Sequence, residues 1–276
     1  MYAIIGATGN TGRLVAEKLL SHGEKVRVIG RDPQRLERFT QKGAEASIAD
    51  ATDAGALTKA LSGARAVYAM IPPNISAPDV RAYAESVSSA LSEAIEKNGI
   101  KYAVVLSSIG ADKSSGTGPV AGLHSLETKV EGISGLNALF LRAGYFMENI
   151  LPQAGIIKAL GGMAGPLRED LPLAMIATRD IGAFAAEALL KLDFAGKSAR
   201  ELQGSRDVTY AEAARIVGAA IGNPSLAYKQ MPAAQLKPAL MQMGMSSSMV
   251  DLLLEMPSFP LAGRRGPWDT PLRSRL

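Results

Sequence analysis

Cysteine is absent from this 276-residue sequence, and histidine occurs only as His22 and His124. Without thiols the chain can form no disulfide, no thiolate metal site and no cysteine nucleophile. Two histidines without a neighbouring helix-spaced carboxylate cluster are too few ligands for a histidine-built metal site. We therefore expect no bound metal.

Long hydrophobic runs are also missing, because charged residues, glycine or proline interrupt every apolar stretch. A bilayer-spanning helix needs about 18 such residues, and the amino terminus lacks the basic and apolar regions of a signal peptide. The net charge of +4 comes largely from the last 14 residues, which hold four arginines against one aspartate. These features predict a soluble, cytoplasmic protein that binds neither membrane nor nucleic acid.

Short apolar segments alternate with amphipathic helical patterns through the first half of the chain. This alternation is typical of an α/β fold with a doubly wound parallel sheet, the Rossmann arrangement, which we predict for residues 1–150. The pattern predicts strands at 2–6, 25–30, 44–49, 65–71, 101–107 and 137–142, with helices near 11–22, 33–41, 54–62, 78–98 and 120–134.

Beyond about Tyr145 the alternation weakens, and we predict a smaller α+β substrate lobe over residues 151–276. Part of this segment, about 176–195, is expected to pack back on the Rossmann domain. The pattern there predicts a strand at 171–175, a short strand pair around 199–203 and 226–230, and helices at 179–192, 209–221, 233–242 and 246–255.

A glycine-rich turn, Gly6-Ala7-Thr8-Gly9-Asn10-Thr11-Gly12, follows the first predicted strand and opens the first predicted helix. The first glycine permits a tight turn, the second lets the backbone approach a diphosphate, and the third lets helix and strand pack closely. The helix amino terminus adds free N–H groups and partial positive charge. We therefore predict a dinucleotide site that includes Gly6, Thr8, Gly9, Asn10, Thr11 and Gly12.

The end of the second predicted strand indicates which dinucleotide is bound. An NAD site usually carries a carboxylate there for the ribose hydroxyl, whereas a guanidinium pairs with the 2′-phosphate of NADP. Arg31 occupies this place, and Arg35 follows about one turn into the next helix. Asp32, directly before Pro33, is better suited to cap that helix. These residues favour NADP(H).

Other residues at predicted strand ends are candidates to border the cofactor. Asp50 could meet the adenine or cap the helix that follows, and Ala51 lies beside it. Met70, Ile71 and Pro72 end the fourth strand, and Ser107 ends the fifth. Open α/β sheets bind their ligands at this edge.

The sequence lacks the Tyr-x-x-x-Lys pair with which short-chain dehydrogenases protonate their substrates, since no tyrosine has a lysine four residues later. Two residues after the fifth strand are the candidate catalytic groups. His124 could donate a proton, or it could bind backbone at a helix start. Lys129 could contact the nicotinamide ribose or a developing oxyanion, or it could be a solvated helix residue.

Several motifs together resemble the NmrA-like family of atypical short-chain dehydrogenases/reductases. They are the glycine turn, Gly30-Arg31-Asp32-Pro33, His124, the run Leu141-Arg142-Ala143-Gly144-Tyr145-Phe146-Met147-Glu148-Asn149, and Asp180-Ile181-Gly182 before an alanine-rich helix. The likeness extends to about residue 232. It implies an NADP(H)-binding Rossmann domain, a small carboxyl-terminal lobe that forms the substrate cleft, and positions near the nicotinamide for Lys129, Tyr145 and Asn149.

Two functions are compatible with these observations. The first is an NADPH-dependent reductase that transfers hydride to a quinone-like or other electron-poor small molecule. The second is a non-enzymatic NADP(H)-binding redox sensor of the NmrA type that acts through a protein partner. Six of the eleven methionines lie between Met231 and Met256, where they could form ordinary core or contact a flat aromatic ligand. The sequence leaves a homodimer open.

Overall fold

The computed structural model describes residues 1–256, and its centre is a seven-stranded parallel sheet. The sheet order is β10-β6-β5-β4-β1-β2-β3. The strands of the chain are β1 (Tyr2–Ile5), β2 (Val26–Gly30), β3 (Glu45–Ile48), β4 (Ala66–Ala69), β5 (Tyr102–Ser108), β6 (Asn137–Ala143), β7 (Tyr145–Phe146), β8 (Met163–Gly165), β9 (Met175–Ile176), β10 (Lys197–Leu202) and β11 (Tyr228–Gln230).

Helices connect the strands and cover both faces of the sheet. They are α1 (Asn10–Ser21), α2 (Pro33–Thr40), α3 (Ala54–Ala60), α4 (Val80–Lys97), α5 (Ala121–Glu131), α6 (Gln153–Leu160), α7 (Thr178–Lys191), α8 (Tyr210–Ala220), α9 (Ala233–Gln242) and α10 (Ser247–Glu255). None of these helices, within residues 1–256, has the length and apolar character needed to cross a bilayer.

Strand β1 is the point at which the winding of the sheet reverses. It pairs with β2 on one side and with β4 on the other, and Ile4 lies opposite both Val28 and Tyr68. In open α/β sheets a crevice forms beyond the carboxyl ends of the strands at such a reversal, and ligands bind there. The doubly wound Rossmann architecture expected from the sequence is confirmed.

The sheet is buried because hydrophobic layers cover it on both sides. On one face α1 and α7 pack together, and Leu19 and Ile181 join a core that includes Ile4. On the other face α3, α4 and α5 contribute side chains such as Leu91 and Leu126. Strands enclosed in this way carry continuous apolar residues, which explains why their positions could be recognised in the sequence.

Local signals set the helix boundaries. The Asp32 carboxylate accepts hydrogen bonds from the amides of Gln34 and Arg35, so its predicted role as the cap of α2 is confirmed. Asp53 and Asp79 cap α3 and α4 in the same way. These caps matter for function because they begin three helices at the edge of the sheet where ligands bind.

The predicted pairing of strands around 199–203 and 226–230 is wrong. Strand β10 joins the edge of the main sheet, where Lys197–Leu202 pair in parallel with β6, and β11 pairs with β8 instead. The exposed residues of an edge strand resemble those of a surface hairpin, and only the crossover through α7 brings β10 beside β6.

The strand predicted at 171–175 is also wrong in extent. Only β9 forms, paired with β7, while Leu173 makes a single antiparallel bridge to Val208. Pro172 explains the interruption, because proline has no N–H to give to a ladder. The segment nevertheless joins a separate small core, called the second lobe below, where Leu173 packs with Met163, Tyr210 and Tyr228.

Candidate active site

The glycine turn after β1 has the geometry that its sequence predicts. Gly6 has a φ of +70°, in the left-handed region, and the Met70 side chain lies where a Cβ at this residue would be. A Cβ on Gly12 would overlap the carbonyl oxygen of Gly6. The Gly9 amide donates to that same oxygen at 2.9 Å, which closes the turn. The turn therefore has no room for a side chain at Gly6 or Gly12, and its backbone stays accessible to a ligand.

The amino terminus of α1 presents amide groups at this turn. Its N-cap residue is Gly9, so no side chain caps the helix, and its first turn contains no acidic residue. Asn10 is exposed and Thr8 is half-buried beside it. The first amides of a helix have no partner within the helix and carry partial positive charge. This end of α1 fits an anion such as the diphosphate of a dinucleotide.

Thr11 differs from its neighbours because its side chain points into the protein. Its hydroxyl accepts a hydrogen bond from the buried Tyr68 hydroxyl at 2.9 Å, and burial raises the pKa of Tyr68. Only the Thr11 backbone remains at the turn. The Tyr68 hydroxyl thus anchors α1 to β4, a role that the sequence pattern did not reveal.

Two arginines lie at the carboxyl end of β2. Arg31 is 64% exposed in its side chain, with Nη1 4.0 Å from Oδ2 of Asp50. The Arg35 Nη2 donates to the carbonyl oxygen of Thr8 at 3.2 Å, which links α2 to the glycine turn. An exposed guanidinium at the end of the strand next to the glycine turn fits a ribose 2′-phosphate.

Asp50 does not cap a helix, although its sequence position allowed that reading. Asp53 caps α3, while Asp50 Oδ1 accepts from the Thr52 amide at 2.9 Å and from the Thr52 hydroxyl at 2.7 Å. The Thr52 bonds and the nearby Arg31 charge lower the pKa of Asp50. Ala51 beside it is buried. A charged carboxylate therefore stands at the carboxyl end of β3.

The segment after β4 forms the wall of the crevice opposite β2. Met70, Ile71 and Pro72 are each half-buried, and Met70 covers Gly6. Tyr83 on α4 donates to the carbonyl oxygen of Pro72 at 2.9 Å. This bond holds the segment from Met70 to Pro72 against α4, and the Pro72 carbonyl oxygen accepts from Tyr83.

The Ser107 side chain is only 2% exposed and belongs to a polar cluster that sequence reasoning missed. Its hydroxyl donates to Glu127 Oε1 at 2.5 Å, and Arg142 donates to both Glu127 oxygens, at 3.1 and 2.6 Å. The pKa of Arg142 is raised, chiefly by its hydrogen bonds to Glu127. This cluster clamps α5 to β5 and β6. The sequence signal for this cluster was Glu127, a carboxylate next to Leu126 on the apolar face of α5.

The two predicted catalytic residues, His124 and Lys129, bind different parts of the protein. His124 Nδ1 lies 2.8 Å from the Ala111 carbonyl oxygen, so the ring binds backbone in the loop after β5. The Lys129 Nζ lies 2.8 Å from Glu85 Oε1, where α5 packs on α4. Bonds from Lys129 and Ser125 lower the pKa of Glu85. The Lys129 ammonium thus forms an interhelix ion pair, and its catalytic role stays a prediction that turnover must test.

Tyr145 and Asn149 lie just past β6, where the sheet meets the second lobe. The Tyr145 hydroxyl is 2.9 Å from the hydroxyl of Tyr210, and it also bonds to the Asn149 side chain. Tyr210 in turn stacks on Tyr228 with ring centroids 4.5 Å apart. Burial raises the pKa of Tyr145, and both hydrogen bonds partly oppose that rise. Tyr210 was missed because nothing local distinguishes it.

The methionine-rich segment borders the same edge of the sheet. Helix α10 packs near the start of α4, where Met249 is buried with Val80. The Ser248 hydroxyl accepts a hydrogen bond from the Val80 amide at 3.0 Å. Met241 and Met243 remain exposed. The segment therefore combines a packed half with an exposed half. The basic tail after residue 256 lies outside the described residues.

The carboxyl edge of the sheet thus gathers most of the predicted residues. The glycine turn, Arg31 and Asp50 follow β1, β2 and β3, and the Met70 wall, His124 and Tyr145 follow β4, β5 and β6. A dinucleotide laid across a reversal of strand order places one nucleotide over each half. Within residues 1–256, no group of three or more histidine or carboxylate side chains is arranged to hold a metal.

Comparison with known proteins gives consistent relatives. An NAD(P)H azoreductase of Xenophilus azovorans is 28% identical over 256 residues, covering 93% of this chain and 86% of the relative. Quinone oxidoreductase 2 of Escherichia coli strain K12 is 27% identical over 261 residues, covering 92% and 86%.

Solved structures agree in fold. An Escherichia coli NADPH-dependent quinone oxidoreductase complexed with NADPH superimposes with a TM-score of 0.78 and 25% identity, covering 94% of this chain and 88% of that one. A Citrobacter triphenylmethane reductase complexed with NADP(H) gives a TM-score of 0.80 at 17% identity, covering 96% and 92%, which shows a shared fold.

The sequence model of the NmrA-like family matches residues 2–259, almost the whole chain. The resemblance inferred from the glycine turn and the run after β6 is confirmed by this match. The chain therefore belongs to the NmrA-like family.

Proposed function

We propose that this protein is an NAD(P)H-dependent reductase that prefers NADPH and transfers hydride to a quinone-like or other electron-poor small molecule. The observation that carries the proposal is the uncapped amino terminus of α1 at the reversal of strand order, with exposed Arg31 at the next strand end. This arrangement supplies amides for a diphosphate and a guanidinium for a 2′-phosphate.

The relatives support the same reaction class. Two of the curated relatives are an NAD(P)H azoreductase and a quinone oxidoreductase, and each aligns with more than nine-tenths of this chain. The quinone oxidoreductase structure of comparable fold contains NADPH. A reductase of small electron-poor molecules is the function that these similarities and the site have in common.

The chain's own residues have simple tasks in such a reaction. The turn from Gly6 to Gly12 holds the diphosphate, and Arg31 binds the adenosine-side phosphate, with Arg35 beside it. When bound, the reduced nicotinamide supplies the hydride. Hydride transfer to an electron-poor acceptor depends mainly on proximity and orientation, which the crevice between β4, β6 and the second lobe provides. The missing Tyr-x-x-x-Lys pair is then no obstacle.

Two measurements test the proposal. Calorimetric titration with NADPH and NADH should detect saturable binding that is tighter for NADPH. Steady-state NADPH oxidation should then occur with at least one member of a panel of quinones, azo dyes and conjugated ketones. Tight binding without turnover would support the sensor function instead. Absence of binding to either reduced cofactor would overturn the dinucleotide site itself.

A further inference from the structure

Tyr145 is a half-buried residue whose hydroxyl has two hydrogen-bonding partners. Tyr210 Oη lies at 2.9 Å, and the Asn149 side chain makes the second bond. Asn149 is itself exposed on the short helical turn Met147–Ile150. Tyr145 lies two residues after the end of β6, so its backbone is at the edge of the sheet that holds the candidate site, and its ring packs against the core of the second lobe.

The buried state of Tyr210 decides the direction of the bond between the two tyrosines. Tyr210 is 4% exposed, and its hydroxyl has no other partner within residues 1–256. If Tyr145 donated to Tyr210, the buried Tyr210 proton would lack an acceptor, which is costly. Tyr210 therefore donates and Tyr145 accepts.

The same accounting leaves the Tyr145 proton free. A phenol oxygen accepts two hydrogen bonds and donates one. The hydrogen bonds with Tyr210 and Asn149 both lower the pKa of Tyr145. Because Tyr145 accepts from Tyr210, its own O–H is not used in the bond between the two tyrosines. It is the donor available to a molecule in the crevice.

We propose that Tyr145 is a catalytic residue that donates the proton to the reduced acceptor, and that Tyr210 and Asn149 are positioning residues that hold its oxygen. The proposal rests on the reductase function proposed above. It replaces the missing Tyr-x-x-x-Lys pair with a tyrosine whose oxygen is supported from the second lobe. His124, whose Nδ1 binds the Ala111 carbonyl, is the alternative donor.

A quinone acceptor would take up a hydride and then a proton. A bound reduced nicotinamide would supply the hydride with its two electrons, which would leave a hydroquinone anion and the oxidised cofactor. The Tyr145 O–H bond then breaks, and its proton forms the second O–H bond of the hydroquinone. Tyr210 and Asn149 stabilise the phenolate, which regains a proton from solvent. Burial raises the pKa of Tyr145, so the phenol is protonated and ready to donate at neutral pH.

Fluorine NMR of protein labelled with fluorotyrosine tests the hydrogen bonding without any turnover. Tyr145→Phe identifies the Tyr145 signal, and its pH titration gives the pKa. Tyr210→Phe should raise that pKa, because it removes a donor to the phenolate. Tyr228→Phe is the matched control, since the Tyr228 hydroxyl donates to the Leu167 carbonyl and not to Tyr145. An unchanged or lower Tyr145 pKa in Tyr210→Phe would overturn the proposed positioning.

Turnover with two acceptors tests the proton donation. Reduction of a quinone needs a proton, whereas hydride addition to a cationic triarylmethane dye gives a neutral product without one. Tyr145→Phe should lower kcat for the quinone by about 100-fold and leave kcat for the dye nearly unchanged. Tyr210→Phe should shift the pH profile of quinone reduction, and Tyr228→Phe should leave it in place.

Different outcomes test the proton donor and the proposed function. Equal loss with both acceptors in Tyr145→Phe, or a selective loss of quinone reduction in His124→Gln instead, would overturn Tyr145 as the donor. A wild-type protein that reduces neither acceptor would refute the proposed function and the proton donation, while the NMR titration would still report on the Tyr210–Tyr145 bond. Unchanged NADPH affinity in the variants shows that the site is intact.

Discussion

Arg31 and Asp50 face each other across the carboxyl ends of β2 and β3, with the Arg31 Nη1 4.0 Å from the Asp50 Oδ2. Both side chains are largely exposed, so their mutual attraction is weak and a stronger anion can take over the guanidinium. A doubly charged phosphate is such an anion. This pair is therefore where the protein would distinguish NADPH from NADH.

Removal of the Arg31 guanidinium should weaken NADPH binding selectively. In Arg31→Ala we expect the Kd for NADPH to rise about tenfold, the lower end of the range for a charge-assisted hydrogen bond at an exposed site. The Kd for NADH should change little. Calorimetry with both cofactors provides the measurement, and Arg38→Ala on helix α2, which begins just after Arg31, is the control. A wild-type preference for NADH would contradict the assignment.

Neutralising Asp50 should have the opposite effect on selectivity. Hydrogen bonds from Thr52 lower the pKa of Asp50, so its carboxylate is ionised at neutral pH and repels a phosphate. In Asp50→Asn we expect the ratio of NADPH affinity to NADH affinity to rise severalfold, since a charge near the expected phosphate is lost. The Kd for NADH divided by the Kd for NADPH is the readout, because any contact with adenine affects both cofactors alike. A lower ratio would refute this reading.

A methyl group on Gly12 should damage the turn itself. Its Cβ would overlap the Gly6 carbonyl oxygen, which is a backbone atom and cannot swing aside like the end of a flexible side chain. Gly12→Ala should destabilise the fold by about 1–3 kcal/mol and abolish measurable NADPH binding. Gly155→Ala in α6 is the control, because its Cβ would meet open space. Thermal melts and NADPH titrations measure both effects; normal binding in Gly12→Ala would show that the turn is not the diphosphate site.

Lys129 should be dispensable for turnover. Its Nζ is paired with Glu85 at the seam between α4 and α5. We expect Lys129→Met to retain kcat within about threefold of wild type. Loss of a general acid or base would instead lower kcat by at least about 100-fold. Steady-state NADPH oxidation with the best acceptor of the panel decides the matter. A loss of two orders of magnitude in kcat would restore Lys129 to the reaction.

The buried Glu127–Arg142 pair should be important for stability. The Glu127 side chain is 4% exposed and that of Arg142 is 22% exposed. Glu127→Ala would leave a half-buried guanidinium and the Ser107 hydroxyl without their partner, and we expect a loss of about 3 kcal/mol in the free energy of unfolding. Glu93→Ala, which removes an exposed pair with Lys97, should cost less than about 0.5 kcal/mol. Urea denaturation measures the loss of unfolding free energy in both variants. Equal losses would show that Glu127 does not hold α5 to the sheet.

Local sequence was sufficient for those parts of the protein that depend on nearby residues. The apolar strands, the Asp32 cap and the turn between Gly6 and Gly12 were all recognised from short segments. Their physics is local: strand burial, a capping oxygen and the absence of a Cβ each act within a few residues. The parallel sheet and the family followed from these signals.

Contacts between distant residues were decided only by the tertiary structure. Tyr145 and Tyr210 are separated by 65 positions, yet one hydrogen bond joins them, and no spacing rule connects such residues. Strand β10 reached the edge of the main sheet only through the crossover of α7, and Lys129 acquired Glu85 only when α5 packed on α4. The sequence by itself determined the elements and the glycine turn, because short-range sterics and burial specify them. Packing chose the partner of each polar side chain, because a long-range contact forms only when the whole chain has folded.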